Sequence, residues 1–153
     1  MALVITGLAE STGNIYPQIP TGKYKAKINA IEPIVSGGRK TSGQDMHRYE
    51  FVIDGEEHPE LKNCRVWWNL FMPVTDEGVR YEVLSDDQYN RRVNTIAMVM
   101  NACHEDKASG YEPDNLRQSD VIIEVRQEAQ KNPETGEPTD EMQTNVRRLF
   151  PVD

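Results

Sequence analysis

In the stretch GKYKAKINAIEPI, Tyr24, Ala26 and Ile28 alternate with Lys23, Lys25, Lys27 and Asn29. Period two marks a strand with one face in a core and the other in water. This one carries a row of ammonium groups outside. The same alternation returns in MHRYEFVID, where Tyr49, Phe51 and Ile53 share one face and Arg48, Glu50 and Val52 the other. The run CRVWWNLFM predicts a third strand. Between these segments lie VSGGRKTSGQD and DGEEHPELKN, whose Gly, Ser and Pro content marks loops.

The period then changes. In SDDQYNRRVNTIAMVMNACHEDK, the residues Tyr89, Val93, Ile96, Ala97, Met100 and Cys103 recur at three- and four-residue steps, one face of an amphipathic helix. Ser85 followed three positions later by Gln88 is a capping-box signature, and Asp86 and Asp87 suit the helix N-terminus. After a break at ASGYEPDNLRQS, the segments DVIIEVRQEAQ and EMQTNVRRLFPV predict two more strands joined through a long loop, KNPETGEPTD. Three strands, a helix and two strands match a mainly β chain. The expected fold is a five-stranded OB-type Greek-key barrel with one amphipathic helix between strands three and four. An SH3-like barrel lacks a helix of that length at that place. Residues 1–21 have little periodicity and are expected to form an arm, with a short strand at Ala2–Ile5. Residues 22–153 form the OB domain.

The two tryptophans of the chain, Trp67 and Trp68, are adjacent in the third strand. Neighbouring side chains on a strand face opposite ways. Val66, Trp68, Leu70 and Met72 form a wholly apolar set and belong to the core. That leaves Trp67 and Phe71 outside with Arg65 and Asn69. A large aromatic left in water forfeits about 1.5–3 kcal/mol of burial, so an outward Trp is expected to be covered by another part of the chain or to serve a partner. Single-stranded nucleic acid is the partner that fits: bases stack on exposed aromatics while basic groups follow the backbone.

Charge supports this locally, although the net charge is −8 and phosphate binding needs positive surface. Six basic residues between Lys23 and Arg48 face only Glu32 and Asp45, whereas Pro73 to Asp153 carries nine basic and seventeen acidic residues. On an OB fold, the face around strands two and three and the loops between strands one–two and four–five bind the ligand. The residues expected there are Lys25, Lys27, Arg39, Lys40, Arg48, Arg65, Trp67, Phe71 and Lys131. Tyr49 is placed inward but would join them if a bulge in strand two turned it out. The acidic surplus is expected elsewhere. Arg91 and Arg92 read as solvated helix residues, and Arg147 and Arg148 as cross-strand partners of Glu124 and Glu128.

The segments YPQIPTGKYKAKI, SGGRKTSG, YEFVIDGEE, LKNCRVWWNL and NVRRLFPV resemble a phage OB-fold family of single-stranded DNA-binding proteins from replication and recombination cassettes, formerly a domain-of-unknown-function family. Pro20, Gly22, Tyr24, Ala26 and Ile28 stand at the segment that opens that family's first strand, and Asn145, Val146 and Arg147 at its closing segment. The resemblance runs from about residue 15 to the end. It implies sequence-independent binding of single-stranded DNA in phage-type replication or recombination, in the host cytoplasm.

No catalytic constellation competes with this reading. His47, His58 and His104 have no metal-ligand spacing. Cys103 and His104 are sequence neighbours on a helix and do not face each other. SGGRKTSG lacks the ending of a phosphate-cradling loop. Cys64 and Cys103 form no disulfide framework, which suits a reducing compartment. No enzyme activity, cofactor or metal is expected. No apolar run reaches the roughly 20 residues that span a bilayer. The expected partner is single-stranded DNA, with RNA able to use the same platform, alongside a homo-oligomer or a replication or recombination protein. The alternative is a protein–protein interaction module that uses the exposed aromatic face.

Overall fold

A computed structural model of the chain describes residues 2–10, 19–38, 41–132 and 134–152. Strand β1 spans Gly22–Val35, β2 Asp45–Ile53 and β3 Arg65–Phe71, followed by helix α1 at Asp86–Ala102, β4 at Asp120–Lys131 and β5 at Pro138–Pro151. All neighbouring strands are antiparallel, in the order β3-β2-β1-β4-β5. This is a mainly β, OB-type arrangement with its helix between the third and fourth strands. Among the described residues no ladder joins β3 to β5. The two edges approach each other and α1 packs against both, but the sheet is not closed into the barrel the sequence led us to expect.

Long β1 belongs to both halves of the sheet. Its first part pairs with β4, from Gly22↔Val125 to Lys27↔Asp120, and its second with β2, from Ala26↔Ile53 to Val35↔Asp45. A register shift between Ile28 and Ala30 leaves Asn29 as an extra residue. Such a bulge bends the strand, and it explains why the buried Ile28 and Ile31 stand three positions apart. β5 repeats the device: Arg148 pairs with Glu124 and Val146 with Val125, which leaves Arg147 extra between the buried Val146 and Leu149.

The core takes Tyr24, Ala26, Ile28 and Ile31 from β1, Tyr49, Phe51 and Ile53 from β2, Val66 and Leu70 from β3, and Val121, Ile123 and Val125 from β4. Each large side chain enclosed there stabilises by about 1.5–3 kcal/mol, and period two in the sequence registers that burial.

Helix α1 starts with both halves of the capping box: Ser85 N–H donates to Gln88 Oε1 at 2.9 Å, and Gln88 N–H donates to Ser85 Oγ at 3.2 Å. Its buried residues are Val99, Met100 and Ala102. Of the expected stripe only Met100 is buried and Ile96, Ala97 and Cys103 are half-buried, while the buried Val99 and Ala102 lie off it. Val93 is 38% exposed, and Tyr89 is covered by the Arg80 guanidinium, 4.3 Å from the ring centre.

Ala2–Ile5 is not a strand, and a turn follows around Gly7 at φ +82°. Ile19 is in the core, held where Gln127 donates its side-chain amide to the Ile19 carbonyl and its backbone N–H to Thr21 Oγ1 at 2.9 Å. The β4–β5 connection is tighter than the expected loop: Asn132 N–H donates to the Glu137 carbonyl at 2.8 Å, and β5 already begins at Pro138.

Candidate nucleic-acid interface

The outer face of β2 and β3 follows from their register. Glu50 lies opposite Trp67, Arg48 opposite Asn69, and Val52 opposite Arg65. Extending the rows onto β1 brings Lys27 beside Val52 and Glu32 beside Arg48. Trp67 thus stands in a row flanked by Lys27–Val52–Arg65 on one side and Glu32–Arg48–Asn69 on the other. Its side chain is 50% exposed. Trp68 turns the other way and packs against Tyr49 and Phe51, with ring centres 5.6 and 6.5 Å apart. Arg48, Trp67 and Asn69 line an open hollow of about 310 Å³.

The two loops expected to flank the ligand lie at opposite ends of this face. The β1–β2 loop follows Val35, near the Phe71 end of β3, and the β4–β5 hairpin runs past Gly22 toward the Arg65 end. The base of the first loop is fixed: Ser36 N–H donates to the Gln44 carbonyl at 2.9 Å, and Gly43 N–H donates to the Ser36 carbonyl at 3.0 Å. Its tip, with Arg39 and Lys40, lies outside the described residues. Lys131 is exposed at the end of β4, about 20 Å along the strand from the last rung with β1. Glu134 and Glu137 stand in the hairpin turn beside it.

Acidic groups are not confined to other surfaces, as the charge count suggested. Glu50, directly across from Trp67, receives Arg65 Nη1 at 3.1 Å and the Asn29 side-chain amide at 2.9 Å. Its side chain is only 16% exposed. Lys25 is engaged by Glu56 at 3.4 Å. Arg48 donates to Asn69 Oδ1 at 3.3 Å. Among the described residues neither Arg48 nor Lys27 has a carboxylate within ion-pair distance. The cations best placed for an incoming anion at Trp67 are therefore Lys27 and Arg48, with Arg65 and Lys25 already partnered.

Two of the expected aromatics are not free platforms. Phe71 is half-buried, with the Arg92 guanidinium of α1 5.0 Å from its ring centre. Arg92 is itself anchored by donating to the Met72 carbonyl at 3.0 Å. Tyr49 is fully enclosed, at 0% exposure, and no bulge interrupts β2 there: Tyr49 pairs with Ile31 and with Trp68. The bulge is in β1, at Asn29.

The Tyr49 hydroxyl lies 2.7 Å from that of Tyr111, which lies 2.8 Å from His47 Nδ1. Burial, then the Tyr111 hydroxyl, pushes the Tyr49 phenol far above its ordinary value. Burial raises Tyr111 to about 12. Burial also lowers His47, against an opposing pull from Asp45. Tyr49 is thus the inner end of a polar chain through the core, with no part in stacking.

The alternation that turns Trp67 outward also puts Glu50 and Asn69 on this face, so both were readable as its members. Arg91 and Arg92 were not, because where the helix lies relative to β3 is a tertiary fact. Arg147 pairs with Glu128 at 2.5 Å, the cross-strand role expected of it. Among the described residues no group of three or more His, Cys, Asp or Glu side chains is placed to hold a metal ion, and no helix is long and apolar enough to cross a membrane.

Comparison with protein-family models and with curated proteins finds no match for this chain. Among solved structures, a yeast RPA bound to ssDNA matches with a TM-score of 0.37 and 10% identity, over 100% of this chain and 90% of that one. A TM-score that low carries no argument, so the functional reading rests on the geometry of the outer face.

Proposed function

We propose that this chain is a non-catalytic binder of single-stranded DNA with little sequence preference, acting in phage-type replication or recombination in the cytoplasm. One observation carries the reading. A half-exposed indole stands on the outer face of an OB-type sheet, in an open hollow beside a guanidinium that has no carboxylate within ion-pair distance among the described residues. A base stacks on Trp67 while Arg48 and Lys27 meet the phosphates on either side. Stacking on an aromatic contributes about 1–3 kcal/mol per base and accepts any base, which fits binding with little sequence preference. RNA would use the same platform.

The test is fluorescence anisotropy of labelled oligo-dT with the wild type and with Trp67→Ala. The wild type should bind and weaken as salt rises, and the variant should bind about 5- to 150-fold more weakly, the equivalent of the stacking energy. Equal binding by both would remove Trp67 from the function.

A second reading is a protein-interaction module. Glu50 in the middle of the face and a net charge of −8 favour it. Association through an apolar face responds far less to salt than phosphate binding does, because it releases few counterions.

A further inference from the structure

Past Asn69 the outer face does not end. Asn69 also borders a second depression of about 230 Å³, between β3 and α1, lined by Trp68, Phe71, Arg91, Arg92 and Thr95. The two hollows share Asn69 and so adjoin along β3. Trp67 and Phe71, four residues apart on that strand, mark about 13 Å of it. The floor beyond Asn69 is aromatic, and the far wall carries two guanidinium groups. Arg92 is spent on structure, since it roofs Phe71 and donates to the Met72 carbonyl. Arg91 is different. It is exposed, and among the described residues no carboxylate lies within ion-pair distance of it.

We infer that the bound single strand turns off the outer face at Asn69 and continues into the groove between β3 and α1, where Arg91 meets a phosphate. This rests on the single-strand reading of Trp67. The occupant is the continuation of the strand stacked on Trp67. The groove adjoins that hollow at Asn69, and the Arg91 charge suits a phosphate. An acidic peptide would also meet Arg91, but the path links the guanidinium to an aromatic platform, which suits alternating phosphates and bases. Arg48, level with Asn69, then holds the strand on the Trp67 side of the turn, and Arg91 holds it beyond the turn. The first turns of α1, which bury little apolar surface, gain a role in presenting Arg91.

The test uses oligo-dT of about 16 nucleotides, the upper end of the site size for one OB domain. Affinity is measured across a salt series for the wild type, Arg91→Gln, Arg48→Gln and Lys107→Gln. Lys107 lies in the turn after α1 and removes the same charge outside the path. Each phosphate contact on a single strand contributes about 0.7 to the slope of log K against log salt. Arg91→Gln should lower the slope by about that amount and Arg48→Gln by as much, while Lys107→Gln leaves it unchanged. If Arg91→Gln behaves as Lys107→Gln while Arg48→Gln loses slope, the groove is not on the path and the Trp67 reading stands. If the wild type shows no salt-dependent binding, the underlying reading fails and this inference fails with it.

Discussion

Glu50 and Trp67 face each other across the β2–β3 ladder, and the carboxylate beside the indole holds Arg65 at 3.1 Å. On the face proposed to bind single-stranded DNA, a negative group restrains affinity in two ways: it repels the ligand and it occupies a cation. Glu50→Gln should therefore bind oligo-dT more tightly at low salt. Its salt slope should steepen by about 0.7 as Arg65 becomes available to a phosphate. A salt-series titration of the variant reads both effects. Unchanged affinity and slope would mean that the ligand does not pass this point.

The two tryptophans should separate binding from stability. Trp67→Ala should weaken oligo-dT binding and leave the urea midpoint close to that of the wild type, because half of the side chain is already in water. Trp68→Ala should lower stability by about 3 kcal/mol through loss of its packing on Tyr49 and Phe51. Urea unfolding of both variants, set beside their affinities, checks the division. A large stability loss in Trp67→Ala would place the indole in the core.

Much of this face was legible along the chain because each of the first three strands has one buried side. Alternation assigned Trp67 outward and Trp68 inward without knowledge of the fold. The electrostatics were less legible. Arg65 meets Glu50 on a diagonal of the β2–β3 ladder, so the pair exists only once the register is known. Lys25 on β1 meets Glu56 in the β2–β3 loop, a whole strand and loop further along the chain. Phe71 is covered by Arg92 because α1 crosses near the end of β3. Local periodicity encodes none of these placements. The three-residue steps from Ile28 to Ile31 and from Val146 to Leu149 break period two without any signal in the local pattern, and bulges at Asn29 and Arg147 are their cause.

Stability should depend on pH through His47. Burial lowers its folded pKa below the unfolded value near 6.5, while Asp45 opposes the shift. The unfolded chain then binds the extra proton more readily, so stability rises with pH across the window between the two values. The contribution is complete above about pH 6.5 and declines as the pH falls toward the folded value. Protonated Nδ1 can still donate to Tyr111, so the loss comes from charging a half-buried ring. Urea midpoints at pH 7.5 and 5.5 should differ more for the wild type than for His47→Asn. Equal differences would remove His47 from the acid response.

Loss of the helix cap should affect the groove as well as stability. Ser85→Ala removes one half of the capping box at the start of α1 and should cost about 1 kcal/mol. Since that end of the helix buries little, the loss should appear first as faster amide exchange over Asp86–Val93, before any change in the strands. Uniform loosening of the whole chain would mean that α1 unfolds only together with the sheet.

The most direct test of the central claim is intrinsic fluorescence. The chain has two tryptophans, and Trp67→Phe leaves Trp68 as the reporter of anything else. Titration of the wild type with oligo-dT at low salt should quench the emission, and high salt should restore it. The Trp67→Phe variant should show almost no change. Absence of quenching in the wild type at low salt, or equal quenching in the variant, would contradict stacking on Trp67.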